Sequence, residues 1–133
     1  DESVVYDDVN WTTGVSHPGS AYAVLTNVSS DSVTASLTGG NIGACYPIKV
    51  TGGKSYTLTY SYSGAGSVRT NYVTNIDGTV SSLTTLYNGT NDETGTKTHT
   101  INIPSGTVCW LFLTLGANTS NTKSYTNVSL TEE

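Results

Sequence analysis

The stretch Ile48-Lys49-Val50-Thr51-Gly52-Gly53-Lys54-Ser55-Tyr56-Thr57-Leu58-Thr59-Tyr60-Ser61-Tyr62 decides the fold. Its second half alternates with a period of two: Tyr56, Leu58, Tyr60 and Tyr62 share one face, Thr57, Thr59 and Ser61 the other. That is a half-buried strand, not a helix. Just upstream, Tyr46, Ile48 and Val50 group against Cys45, Pro47 and Lys49 in the same way. Thr51-Gly52-Gly53-Lys54 lies between the two runs and carries turn chemistry.

The pattern extends in both directions. Ser20–Asn27, Ser32–Thr38, Cys45–Thr51, Ser55–Tyr62, Ser67–Ile76, Lys97–Ile103, Val108–Leu115 and Ser124–Thr131 all read as strands rich in Val, Ile, Thr and Tyr. Val4–Thr13 is expected to add one or two more. Asn88–Thr96 is the longest stretch that reads as irregular. With neither a repeat nor a linker, residues 1–133 read as one all-β domain, a β-sandwich or barrel.

Thr, Ser and Asn together supply 52 of the 133 residues, while only 11% are charged. Nine Tyr, two Trp and one Phe argue against disorder, and the scarcity of strong helix formers argues against a helical domain. A formal charge of -5 with five basic residues excludes a nucleic-acid or anionic-membrane partner, which needs clustered Lys and Arg. No apolar run reaches the roughly 18–20 residues of a membrane span. No signal peptide is recognisable and the first residue is Asp, so the chain reads as a mature protein or excised module. Cys45 and Cys109 leave two readings open: a disulfide between neighbouring strands, or two buried thiols.

The Ile48–Tyr62 run resembles the central signature of jelly-roll carbohydrate-binding modules, in which Val-Thr, a Gly-Lys turn and Tyr-Thr-Leu-Thr follow one another. Ser124-Tyr125-Thr126-Asn127-Val128-Ser129-Leu130 is similar to their closing strand. Thr126 stands where that strand usually carries an acid, and the family's opening segment is not recognisable in Val4–Thr13. The resemblance, to modules of the family 4, 9 and 22 type, implies a jelly-roll β-sandwich of two antiparallel sheets. It also implies non-catalytic binding of a polysaccharide in an open cleft, in the service of a covalently linked glycoside hydrolase. A structural calcium often sits where first and last strands meet, and Asp7, Asp8 and Asn127 are candidate ligands here.

Aromatic rings cover the C–H face of a sugar, and uncharged hydrogen-bonding groups satisfy its hydroxyls. In Val108–Leu115 one face holds Cys109, Leu111, Leu113 and Leu115, the other Val108, Trp110 and Phe112. If the leucines face the core, Trp110 and Phe112 become ligand candidates; the alternative is a core indole under a loop. In the Arg69–Val73 run, Arg69 and Asn71 share a face with Asn75, and Tyr72 takes the opposite one. A cleft there uses one set or the other. Trp11 and Tyr87, near strand ends, are candidates to flank it.

Catalysis has little support, because no pair of carboxylates sits within a strand beside an aromatic. His17 and His99 form no Ser/His/Asp arrangement. The expectation is therefore a secreted or cell-surface bacterial module that binds a β-1,4-linked plant cell-wall polysaccharide. Xylan leads, with mixed-linkage glucan or mannan behind. The alternative is a phage tail or surface-adhesion module contacting a host glycan or a protein neighbour.

Overall fold

The computed structural model describes residues 22–29, 31–39, 44–117 and 121–133. The strands are β1 (Tyr22–Ser29), β2 (Ser32–Gly39), β3 (Ala44–Lys49), β4 (Ser55–Ser63), β5 (Ser67–Ile76), β6 (Thr79–Val80), β7 (Thr84–Asn91), β8 (Gly95–Asn102), β9 (Trp110–Ala117) and β10 (Thr122–Glu132). One antiparallel sheet has the order β1-β2-β10-β4-β8. The other runs β3-β9-β5, and β6 and β7 pair with successive parts of β5. The chain changes sheet after β2, β3, β4, β7, β8 and β9. This is a jelly-roll β-sandwich.

The alternation explains the layers. Tyr56, Leu58, Tyr60 and Tyr62 of β4 all point inward, and Leu111, Leu113 and Leu115 of β9 meet them from the other sheet. Tyr125, Leu130, Ile101 and Val68 complete the core. The outer face of the first sheet is a ladder of hydroxyls. They pair across strands as Thr59–Thr98 (3.2 Å), Ser61–Thr96 (2.9 Å), Thr34–Ser124 (2.9 Å) and Ser36–Thr122 (2.7 Å).

Lys123 stands at an inward position of β10 and is fully buried. Its ammonium donates to the carbonyl oxygens of Gly64 (2.9 Å), Gly66 (3.0 Å) and Glu93. Three carbonyls from the β4–β5 and β7–β8 connections are thus gathered on one cation, which satisfies all its donors; the Gly66 oxygen also accepts the Asp92 N–H at 2.9 Å.

The strand expectations hold within a residue or two at most ends. The expected irregular stretch Asn88–Thr96 is instead the end of β7, a turn and the start of β8. Strand β7 is exposed or half-buried throughout and lacks an apolar stripe, so its sequence carries no period to read. The two-residue β6 is too short to announce itself. Val4–Thr13 lies outside the described residues. The disulfide reading is corrected. Cys45 pairs with Thr114, whereas Cys109 precedes Trp110, the partner of Lys49. That offset amounts to about 16 Å of strand, beyond the roughly 7 Å that a disulfide spans. Cys109 is a free, buried thiol.

Replacing Lys123 by Met keeps the length but strands the Gly64 and Glu93 carbonyls and takes one of two donors from Gly66. The expected loss is about 3 kcal/mol of stability, read as a lower urea midpoint at unchanged slope; an unshifted midpoint contradicts this account of the ammonium.

Candidate functional site

Strand β9 sets the outer face of the second sheet. Trp110 lies opposite Lys49 on one side and Asn75 on the other. Phe112 lies opposite Val73, Thr114 opposite Asn71, and Gly116 opposite Arg69. Because Leu111, Leu113 and Leu115 point into the core, the alternate residues Trp110, Phe112 and Thr114 point away from it. Arg69, Asn71, Val73 and Asn75 of β5 share that face. Asn71, Val73 and Thr114 are buried at its centre, while Trp110, Phe112, Asn75 and Arg69 are only half-buried. The Thr114 hydroxyl donates to the Asn71 carbonyl at 3.1 Å.

At the Trp110 end the face runs into an open cleft of about 400 Å³, lined by Lys49, Thr51, Gly52, Gly106, Val108 and the indole. Its far wall is a close backbone approach. A Cβ on Gly52 would sit 2.3 Å from the Gly106 oxygen, and one on Gly106 would sit 2.1 Å from Ile76 Cγ2. Only glycine fits either position. Asp77 holds the next residue, accepting the Thr107 N–H at 2.8 Å and its hydroxyl at 2.5 Å. Those hydrogen bonds keep the Asp77 carboxyl below its ordinary range. Val108 follows in a left-handed conformation (φ 52°) and is 62% exposed. An exposed valine and a half-exposed indole thus border one cleft. Across the strand pair from Trp110, the buried Oδ1 of Asn75 has no hydrogen-bond partner. A buried acceptor left open in this way is uncommon and marks a place for a donor.

Of the residues singled out by sequence, Trp110, Phe112, Arg69 and Asn71 come together on this face. Tyr72 does not. It takes the opposite parity on β5 and packs against the core, as the alternation requires. Tyr87 also leaves the candidate set, since it packs against the core from β7. Its hydroxyl donates to both Glu93 oxygens (2.9 and 2.8 Å), and the Lys97 ammonium lies 4.3 Å from its ring centroid. Trp11, Asp7 and Asp8 lie outside the described residues. Asn127 sits exposed, with φ 52°, at a bulge of β10. Among the described residues no three His, Cys, Asp or Glu side chains gather at one point. His99 is occupied in the core edge, where Nε2 and the Tyr60 hydroxyl lie 2.9 Å apart and burial lowers its pKa. Sequence reasoning left Lys49 and Val108 out of the candidate set and gave Asn75 no role of its own. Their link to Trp110 passes through strand pairing and a loop, for which a single sequence carries no signal.

Glu93 is the electrostatic anchor on the core side of this sheet. It accepts from Tyr62 (2.5 Å), from Tyr87 and from the Thr90 N–H (3.1 Å), and its pKa is lowered to about 2. The Tyr62 hydrogen bond is the largest cause. Its folded value lies below the ordinary 4.5, so the stabilisation is present above that value and is lost as pH falls towards 2. Glu93→Gln should flatten the loss of stability across this window, read by thermal unfolding at stepped pH; an identical acid profile in the variant contradicts the assignment.

No protein-family model matches the sequence, and no curated protein matches it. Solved structures do resemble the fold. The CBM22-1–GH10 modules of Clostridium thermocellum endo-1,4-β-D-xylanase 10B, complexed with xylohexaose, superpose with a TM-score of 0.66 at 14% identity. The match covers 100% of this chain and 29% of that one. The CBM22-1 xylan-binding domain from Paenibacillus barcinonensis Xyn10C gives 0.60 at 6% identity, covering 98% and 94%. The enzymatically active domain of tailspike protein 4 from bacteriophage CBA120 gives 0.65 at 14% identity, covering 93% of this chain and 19% of that one. These likenesses establish the jelly-roll sandwich.

Proposed function

We propose that this chain is a non-catalytic carbohydrate-binding module whose ligand contacts the outer face of the β3-β9-β5 sheet. The observation that carries the reading is the half-exposed Trp110 bordering a cleft, with the unpartnered Oδ1 of Asn75 across the strand pair. An indole face takes the C–H side of a sugar ring, and a buried open acceptor takes a hydroxyl proton. Among the described residues no carboxylate lines the cleft, whereas glycoside hydrolysis normally uses two. Asp77 and Glu93 are instead held by local hydrogen bonds.

The xylan-binding neighbours support a β-1,4-linked plant cell-wall polysaccharide, with xylan first, and a role beside a glycoside hydrolase in a secreted or surface-attached bacterial protein. The tailspike neighbour favours a second reading, in which the same scaffold serves a phage tail or cell-surface adhesion protein and contacts a host glycan or protein neighbour. A structural calcium held by Asp7, Asp8 and Asn127 belongs to the proposal as well.

Affinity electrophoresis against soluble xylan, mixed-linkage glucan and mannan tests the first reading. Retardation by at least one is expected, and Trp110→Ala should abolish it while changing stability by less than about 1 kcal/mol. No retardation by any plant glycan favours the adhesion reading. For calcium, chelation should lower the thermal midpoint by roughly 10 °C, and an unchanged midpoint removes the ion.

A further inference from the structure

The strands of the second sheet carry cations and no acid, and those of the first carry Lys97, Lys123 and, at the end of β10, Glu132. Strands β3, β5, β6, β7 and β9 contain no Asp or Glu, yet β3 carries Lys49 and β5 carries Arg69. This occurs in a chain with ten acids and five bases. Among the described residues, the acids that flank these strands in sequence, Asp77, Asp92 and Glu93, all lie in connections beyond strand ends. Asp77, at the Trp110 end, is committed to Thr107, and Glu93 to the two tyrosines on the core side.

Neither Lys49 nor Arg69 has an acidic partner among the described residues. The one ion pair among the described residues joins Lys54 and Glu132. The Arg69 backbone N–H bonds the Tyr125 hydroxyl, but its guanidinium contacts no described hydrogen-bond acceptor. Arg69 is also half-buried, and its neighbour on β9 is Gly116, which has no side chain to cover it. A guanidinium partly withdrawn from water without a counter-charge is an unfavourable arrangement that an anion relieves. At the other end Lys49 stands exposed beside Trp110. Gly116 is six steps along β9 from Trp110, so the two cations lie about 20 Å apart along the strand.

Building on the reading of this face as a glycan site, we propose that its ligand carries carboxylates: the glycan is a uronate-bearing polysaccharide. A neutral diol would satisfy the hydrogen-bonding fork of Arg69 but not its charge. A carboxylate satisfies both, in a bidentate pair. Trp110 supplies the apolar platform beside Lys49, and Asn75 Oδ1 takes a ring hydroxyl. No acid stands in a strand of this sheet to repel such a ligand.

The test uses glucuronoxylan and the same polymer with its carboxyl groups chemically reduced, so that backbone and length are constant. Wild-type protein should bind the acidic polymer roughly three- to tenfold more tightly than the reduced one in native affinity gels. The preference should shrink as salt is raised. Arg69→Gln and Lys49→Gln should each reduce the preference, read as the ratio of the two affinities, at an unchanged unfolding midpoint. Arg69→Lys should retain only part of it, since the charge remains but the fork is lost. Equal binding of both polymers by the wild type overturns the uronate proposal alone. Binding of neither polymer overturns the glycan reading with it. A wild-type preference that survives both Gln variants overturns the assignment to these cations.

Discussion

The structure depends on the parity of one strand. Strand β9 is apolar on both sides, so composition alone does not say which side is buried. Pairing with β3 and β5 places Leu111, Leu113 and Leu115 against Leu58, Tyr60 and Leu130 of the opposite sheet. Branched aliphatic side chains fill that interior without needing a polar partner, whereas an indole would bring an N–H with it. With the leucines inside, Trp110 and Phe112 must stand outside. A slip of one residue would exchange the two sets and erase both core and site together.

The two outer faces then differ in kind. On the first sheet, short hydroxyl side chains sit opposite one another and satisfy each other across the strands. Such a surface makes few demands on a ligand and is readily hydrated. On the second sheet the side chains are larger, and among the described residues an amide oxygen and a guanidinium have no partner beside a half-exposed indole. Binding capacity follows from what folding leaves unsatisfied. The neutral amides and the indole have the chemistry that suits sugar rings in general, and on the proposed reading the two cations, without an acidic partner among the described residues, narrow the choice among them.

Polar groups at the sandwich ends hold this arrangement in place. Lys123 ties together the connections around Gly64, Gly66 and Glu93, and the Glu93 side chain in turn engages Tyr62 and Tyr87. These contacts draw the two tyrosines to the interior side of the sheet. The backbone approach of Gly52 to Gly106 does the corresponding work at the cleft, delivering Val108 and Trp110 to its rim.

The amino-acid order alone determined the strands with a clean period of two, the inward tyrosines of β4 and the choice of Arg69 with Asn71 and Asn75 against Tyr72. These follow from side-chain alternation, which is local and needs no knowledge of neighbours. Strand β7 escaped because both of its faces are partly wet and its polarity does not alternate. Which of the two β5 sets faces outward, the placement of Tyr87 on Glu93, the separation of Cys45 from Cys109, and the meeting of Lys49, Asn75 and Trp110 were decided only by the tertiary structure. Each depends on strands distant in sequence being paired in a particular register. That register is fixed by the collective packing of the core, which no single segment encodes.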